Sequence, residues 1–313
     1  MGFGQNPGRH CLMAVRDAAQ AFAAYEAVRH RLPCAAFPKR AQRRTSLADI
    51  ADLYDVFLLD SFGVLNRGNT AVPSAVERIA ALRAAGKQVI VVTNAAGYPK
   101  RLVMERYRRL GFDFAEDEVV SGRDTLMAHL AAQPSRRWGM MASQRLGCDR
   151  ELEHLNAVFL TDDPLPYAEV AGFLLFGSAE WTGHRQALLE SAVTGHARPV
   201  LVGNPDIVAP CENGFSQEPG YYAHRLADAT GITPEFFGKP FPAIFKHALA
   251  RVAPAPPGRI VMVGDTLQTD ILGGAAMGFD TVLVEDHGTL AGENVAAACT
   301  SSGIHPTYIV PSI

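Results

Sequence analysis

Four places in the chain put a polar residue where an apolar run stops. Val56-Phe57-Leu58-Leu59 ends at Asp60, and Gln88 to Val92 ends at Thr93-Asn94. Phe236-Phe237-Gly238 leads into Lys239-Pro240, and Arg259 to Val263 ends at Gly264-Asp265 with Asp270 further on. A run that is apolar at every position reads as a strand buried on both faces, and its polar end is where open α/β sheets collect their chemistry. The residue types at these ends complement one another. A carboxylate can attack an electrophile or ligate a hard cation, a hydroxyl with nearby amides can hold anionic oxygens, and an ammonium can balance the charge. Each feature alone has a plainer reading. An Asp before a glycine turn is a common loop start, a Thr at a strand end is usually structural, and a Lys between Gly and Pro is usually a solvated turn residue. Asp265 and Asp270 would serve equally as an N-cap and a surface charge. Their recurrence at four strand ends favours chemistry.

In this order the four ends resemble the motifs of the haloacid dehalogenase superfamily: a nucleophilic Asp, a Ser/Thr, a Lys and an acidic pair. The most specific pieces are Gly264-Asp265-Thr266-Leu267-Gln268-Thr269-Asp270 and Gly238-Lys239-Pro240-Phe241-Pro242, and the resemblance runs from about Ser46 to the C-terminus. It implies an α/β fold, a Rossmann-like parallel-sheet core with an inserted α/β cap domain. It implies that Asp60 attacks phosphorus to form an aspartyl-phosphate, with Thr93 and Lys239 as its catalytic partners and Thr93, Asn94 and Lys239 holding the phosphate. Mg2+ would sit on Asp60, Asp265 and the backbone carbonyl of Phe62, while Asp270 orients water or Lys239 from outside the metal shell. The substrate would be a small phosphorylated metabolite.

One position departs from the family pattern. Active phosphatases of this kind usually carry a second Asp two residues after the nucleophile, which protonates the leaving oxygen and later activates water; here that position is Phe62. General acid–base help is commonly worth about 10² to 10⁴ in rate, so a phenylalanine there should weaken ordinary ester hydrolysis unless another group substitutes. His184, Asp162 and Asp163 in the insertion are candidates, without a spacing argument for any of them. Three readings stay open: a magnesium-dependent phosphatase with an atypical first motif, a dehalogenase-like hydrolase, or a phosphate-ligand binding protein without turnover. Relatives with an aromatic residue at the position of Phe62 favour the second, and the acidic pair Asp265 and Asp270 speaks against it.

The elements that must position these residues follow from hydrophobic period. Residues 46–121 and 203–313 read as the core, with helices through Val76 to Leu82, Pro99 to Leu110, Pro242 to Val252 and Ile271 to Met277 alternating with strands that end in a late edge strand at Thr307 to Val310. Residues 122–202 hold strand-like runs at Gly139 to Ala142, Ala157 to Leu160 and Gly172 to Phe176 and a helical pattern at Arg185 to Ala192, and form the inserted unit. It resembles the class II cap of the nitrophenylphosphatase and sugar-phosphate phosphatase branch, which closes over the cleft and selects substrate. Asn204-Pro205-Asp206 is turn chemistry by itself and is similar to a loop of that branch where the chain leaves its cap. Gly214 to Tyr221 departs from the branch pattern. Residues 1–45 lie outside the resemblance: Leu12, Val15, Ala19, Phe22, Ala23 and Val28 make a helical stripe from Cys11 to about Arg31, and Lys39 to Arg44 reads as a basic, solvated connector. Ser46 caps the short helix that follows.

Bulk properties narrow the field. A chain of 313 residues with formal charge -3 has room for two domains and no surplus of basic residues, so no nucleic-acid surface is expected. Five scattered cysteines with no CxxC pair suit reduced thiols, and there is no run of the roughly 18 apolar residues that a membrane span needs. These features point to the cytoplasm, with no membrane partner, and leave a homo-oligomer open.

Overall fold

The computed structural model describes residues 17–147, 152, 154–211 and 214–313. The chain divides into two compact units. The first, residues 25–93, 100–121 and 238–313, is built on a seven-stranded parallel sheet. Its strands are β1 (Gln42–Arg43), β2 (Val56–Leu59), β5 (Gln88–Thr93), β6 (Val119–Ser121), β14 (Ile260–Gly264), β15 (Asp280–Val284) and β16 (Tyr308–Val310), in the order β1-β16-β15-β14-β2-β5-β6. A small hairpin, β3 (Asn66–Arg67) and β4 (Thr70–Ala71), follows β2.

The unbroken apolar runs have a direct cause. Successive side chains of a strand point to opposite faces, and both faces of this sheet are covered. Phe57 and Leu59 join Val89, Val91, Val261 and Val263 on one face, with Ile79, Leu82, Met104 and Tyr107 from the helices Ala75–Ala84 and Lys100–Arg109. Val56 and Leu58 join Ile90, Val92, Ile260 and Met262 on the other, under Ile244, Phe245 and Ala248 of the helix Pro242–Leu249. Truncating a fully buried side chain such as Leu58 to Ala would cost about 2–5 kcal/mol.

Two expectations about the edge need correction. The strand expected at the edge, β16, is second from it, and the outermost strand is β1, inside the segment expected to be a solvated connector. Backbone pairing is the reason: Gln42 N donates to Thr307 O and Arg44 N to Ile309 O, which no periodicity in so short a segment foretells. Arg43 adds two bonds to Glu285, but the Arg43 side chain is 64% exposed, so that pair is worth under about 1 kcal/mol. Ahead of it lie the helix Ala18–Ala27 and a 3-10 turn Arg29–Arg31. Cys11, Leu12, Val15 and Cys148 fall outside the described residues, and Cys34 and Cys299 are free thiols. Ser46 caps the 3-10 helix Leu47–Leu53, its hydroxyl accepting from Ala48 N.

The second unit contains described residues 17–24, 94–99 and most of 122–237. It takes in residues 203–237, which the sequence reading assigns to the core. Its parallel sheet has five strands in the order β13-β10-β9-β7-β8: β7 (Trp138–Met141), β8 (Ala157–Phe159), β9 (Gly172–Leu175), β10 (Val200–Val202) and β13 (Glu235–Phe236). The helices Gly122–Ala131, Gly183–Gly195 and Pro219–Thr230 belong to it, as does the antiparallel pair β11 (Val208–Cys211) and β12 (Gly214–Gln217). Among the described residues no helix is long and apolar enough to cross a membrane.

Candidate active site

Asp60 follows β2 directly, and its N–H donates to Val263 O at 2.8 Å, so the ladder with β14 carries one residue past the strand before the side chain emerges. The next residues turn back at once: Leu65 N and Asn66 N both donate to Ser61 O, and Gly63 N donates to Asn66 O. Gly63 has φ +75°, which a side chain rarely adopts, and a Cβ there would stand 2.7 Å from that of Asp265. The turn after Asp60 is therefore pressed against the Asp265 carboxylate. Ser61 Oγ donates to Asn66 Oδ1 and accepts from Tyr107 OH, both at 2.9 Å, which fixes the turn from below; burial pushes the Tyr107 hydroxyl up to about 12.

Lys239 reaches the same spot from a different source than expected. It does not end a core strand: β13 pairs with β10 in the second unit's sheet, and the chain enters the core unit at Gly238. Lys239 then stands just ahead of the helix Pro242–Leu249. Its Nζ lies 2.6 Å from Asp60 Oδ1 and 2.7 Å from Asp270 Oδ1, and the side chain is 2% exposed.

Asp265 and Asp270 come from the loop after β14. Asp270 sits in a single π-helical turn, Leu267–Ile271, which leads into the helix Leu272–Ala276 within the expected span Ile271 to Met277. That wider turn folds Asp270 back so that its Oδ2 accepts from Asp265 N at 3.2 Å and Thr266 N at 3.1 Å. Gly264 makes this possible, because a Cβ there would be 2.1 Å from Asp270 Cγ. Asp265 Oδ2 accepts from Thr289 N at 2.7 Å and Oδ1 from Thr266 Oγ at 3.1 Å.

Asp60, Asp265 and Asp270 offer ligand oxygens within 4.8 Å of one another, all buried. Three carboxylates share one ammonium, so the fully ionised cluster carries a surplus of negative charge. The titration shifts follow. Burial pushes Asp60 up to about 6, with Lys239 pulling down and Asp270 pushing up. Asp265 is pushed well above the usual carboxylate range by burial and then by Asp270 and Asp60. Burial acts against the charge on Lys239, but the attraction of Asp270 and Asp60 outweighs it and raises the ammonium. A hard divalent cation fits this donor set: the oxygens are hard, the charge surplus is of the right sign, and each Asp265 oxygen accepts one described bond and keeps a lone pair. Asp60 and Asp265 could ligate it, and Asp270 is engaged on Lys239 and two backbone amides.

The other expected residues are placed as follows. Thr93 closes β5 two residues beyond Val91, the partner of Leu59, and so lies at the same sheet end as Asp60. Asn94 belongs to the second unit, where its Nδ2 donates to Asp206 Oδ1 at 2.7 Å. Phe62 is partly buried and its backbone bridges to Asn66. Of the candidates in the insertion, Asp162 is paired with Arg185, Asp163 accepts from Leu165 N, and His184 is exposed at a helix start. The sequence reading missed Thr266, Gly288 and Thr289. A Cβ at Gly288 would stand 2.1 Å from Asp265 Cβ, so this loop forms the far wall of the site. The signal was present: Gly288-Thr289 follows β15, a fourth strand end of the sheet whose β2, β5 and β14 lead to Asp60, Thr93 and Asp265.

Comparison with known proteins agrees with this geometry. A haloacid dehalogenase-like hydrolase model matches residues 57–157, and a second model of HAD-like hydrolases matches residues 236–313. An acid sugar phosphatase of Staphylococcus aureus is 25% identical over 256 residues, 82% of this chain and 93% of that protein. A p-nitrophenyl phosphatase from Archaeoglobus fulgidus superposes with a TM-score of 0.71 at 25% identity, over 83% of this chain and 96% of the other. A glycerol phosphate phosphatase from Mycobacterium tuberculosis, solved in complex with magnesium, shares the fold with a TM-score of 0.66 at 24% identity, over 86% of this chain and 76% of the other. The chain belongs to the haloacid dehalogenase superfamily of hydrolases, in the branch of the nitrophenylphosphatases and sugar phosphatases.

Proposed function

We propose that the protein transfers the phosphoryl group of a small phosphorylated metabolite to water, through a phosphoryl group carried on Asp60, in a magnesium-dependent reaction. The observation that carries this reading is the placement of Lys239 between Asp60 and Asp270, with Asp265 in the same cluster. The names of the phosphatase relatives support the reaction type.

Asp60 is the nucleophile: it follows β2 directly and one of its carboxylate oxygens pairs with Lys239. Lys239 holds Asp60 Oδ1 in place and supplies a fixed positive charge for the incoming phosphoryl oxygens. Asp270 orients Lys239 and the backbone of Asp265 and Thr266. Thr93 donates to a phosphoryl oxygen from the neighbouring strand end. Asp60, Asp265 and the carbonyl of Phe62 would hold Mg2+, which when bound would neutralise charge on the transferred group. The test is trapping: brief exposure to substrate with Mg2+, acid quench, and peptide mass analysis should place one phosphoryl group on Asp60. Turnover without any acid-trappable phosphoryl group on Asp60, and undiminished in Asp60→Asn, would remove Asp60 from its role.

A further inference from the structure

The turn that carries Asp270 can be hydrogen-bonded in two ways, and both are present at once. Thr266 O accepts from Asp270 N at 3.1 Å, the α-helical pattern, and from Ile271 N at 3.3 Å, the π-helical one. The two patterns differ by one residue and aim the side chains of the turn differently. Backbone bonding shared in this way does not choose between them, so the choice falls to the side chains that anchor the turn. Asp270 is held by Lys239 and by the amides of Asp265 and Thr266. Gln268, which lies between Asp265 and Asp270, is held from outside the loop: its Nε2 donates to Glu26 Oε1 at 2.8 Å. Gln268 is 3% exposed, and a carboxylate oxygen only accepts, so its amide is turned one way.

Glu26 itself stands on anchored backbone. It is one residue short of the end of the helix Ala18–Ala27, in the part of the chain that belongs to the core unit, and ahead of the first residue that either family model matches. Around it Tyr25, Val28 and Leu32 are buried. Val28 N donates to Tyr25 O, Arg31 N to Val28 O and Leu32 N to Arg29 O, and the Arg29 guanidinium donates to Pro33 O at 3.1 Å. These contacts already offset the cost of ordering the segment, so the bond to Gln268 does not have to. We propose that Glu26 is a positioning residue for the cation site. Through Gln268 it holds the turn Leu267–Ile271 in the conformation that brings Asp270 to Lys239 and to the amides of Asp265 and Thr266. Removing the Glu26 carboxylate leaves a buried amide N–H unsatisfied unless the turn shifts, and a shift moves Asp270 and, through it, the backbone of Asp265. The proposal rests on the reading above that Asp265 holds Mg2+.

The experiment compares Glu26→Ala, Glu26→Gln, Gln268→Met and the double variant Glu26→Ala with Gln268→Met, each in the full chain and with two readouts. One is Mg2+ affinity by titration calorimetry. The other is amide hydrogen exchange over residues 264–272 in chelator, where no cation takes part. Glu26→Ala should weaken Mg2+ binding about three- to tenfold, the size that one lost hydrogen bond can transmit, and speed exchange in that segment by a similar factor. Glu26→Gln keeps an acceptor oxygen in the same place and should stay within about twofold of wild type in both readouts. Where Gln268→Met has already removed the bond, Glu26→Ala should add nothing further. A Glu26→Ala protein with either readout at the wild-type value would make Glu26 an anchor of the fold alone and overturn the proposal. Glu26→Gln as impaired as Glu26→Ala, or additive losses in the double variant, would overturn it as well. Asp265→Asn is measured alongside: undiminished Mg2+ affinity there brings down the metal placement and the proposal with it. Affinity lost in Asp265→Asn but kept in Glu26→Ala brings down the proposal only. Should Glu26→Ala fail to fold, Gln268→Met against wild type carries the same two readouts.

Discussion

The two units treat their acids differently. In the core unit, Asp60, Asp265 and Asp270 crowd around one ammonium, and two of them are pushed upward by burial and mutual repulsion. In the second unit, one chain of groups meets two half-buried acids with neutral donors: Asn94 to Asp206, Asp206 N to Asn204, Asn204 to Glu218, and Ser216 to Glu218. The second arrangement is complete by itself and shapes a loop. The first has charge left over, as a site must if it is to receive a cation and a phosphoryl group. The lesson is that a cluster of acids points to function through its imbalance, since neutral amides satisfy acids equally well where only shape is at stake.

That contrast can be broken in several ways. The largest effect belongs to Asp60→Asn, which should lower magnesium-dependent turnover of 4-nitrophenyl phosphate by at least about 10⁴ in protein shown to be folded by its melting transition. Next is Lys239→Met, which strands buried carboxylates. Chemical denaturation of the metal-free protein at pH 7 should show a loss of about 3–5 kcal/mol, smaller near pH 5, where Asp60 takes up a proton.

The pH dependence of the metal-free wild type comes third. Asp60 and Asp265 keep their protons when folded at pH values where the unfolded chain has released them. Between about pH 4 and the raised pKa values the folded state binds more protons, so unfolding free energy falls as pH rises. Asp60 alone, raised to about 6, contributes a loss of up to about 3 kcal/mol. Denaturation from pH 5 to 7.5 should show this slope in chelator and a flatter one with saturating Mg2+; equal slopes would detach the cation from this cluster.

A smaller effect is expected for Gly288→Ala, whose Cβ must displace Asp265. Titration calorimetry should show Mg2+ affinity down about tenfold or more, comparable to losing a partner of a metal ligand. The smallest is Asp206→Asn, which removes charge from a bond to Asn94 and should cost about 1 kcal/mol, with Mg2+ affinity unchanged. A large metal effect from Asp206→Asn would erase the distinction between the units.

Much of this was legible because chemistry and burial leave different marks. The strands Val56–Leu59, Gln88–Thr93 and Ile260–Gly264 announce themselves by being apolar at every position, and the acids at their ends by interrupting that run. Lys239 was found for a partly wrong reason: its motif is distinctive, yet the strand before it belongs to the other sheet, and which sheet a two-residue strand joins is a tertiary decision. The edge strand β1 was hidden for the same reason, since its stabilising bonds are to backbone 266 residues away in the paired register of Gln42 with Tyr308. Asn94 looked like a phosphate donor by its place after Thr93, and its partner Asp206 lies too far along the chain for spacing to reveal.

The interruption of the core by the second unit also sets an order of events during synthesis. Strands β2, β5 and β6 leave the ribosome early, but β14, which pairs with β2, does not exist until residues 260–264 have been made. At about 5–20 residues per second, the bare side of β2 waits roughly 10–40 seconds for its partner. All seven described strands of the second unit lie between residues 138 and 236, so that unit can close first. Newly made chains therefore carry a finished domain and an unpaired, wholly apolar strand at the same time, which makes the nascent core a natural client for a chaperone that shields Val56-Phe57-Leu58-Leu59.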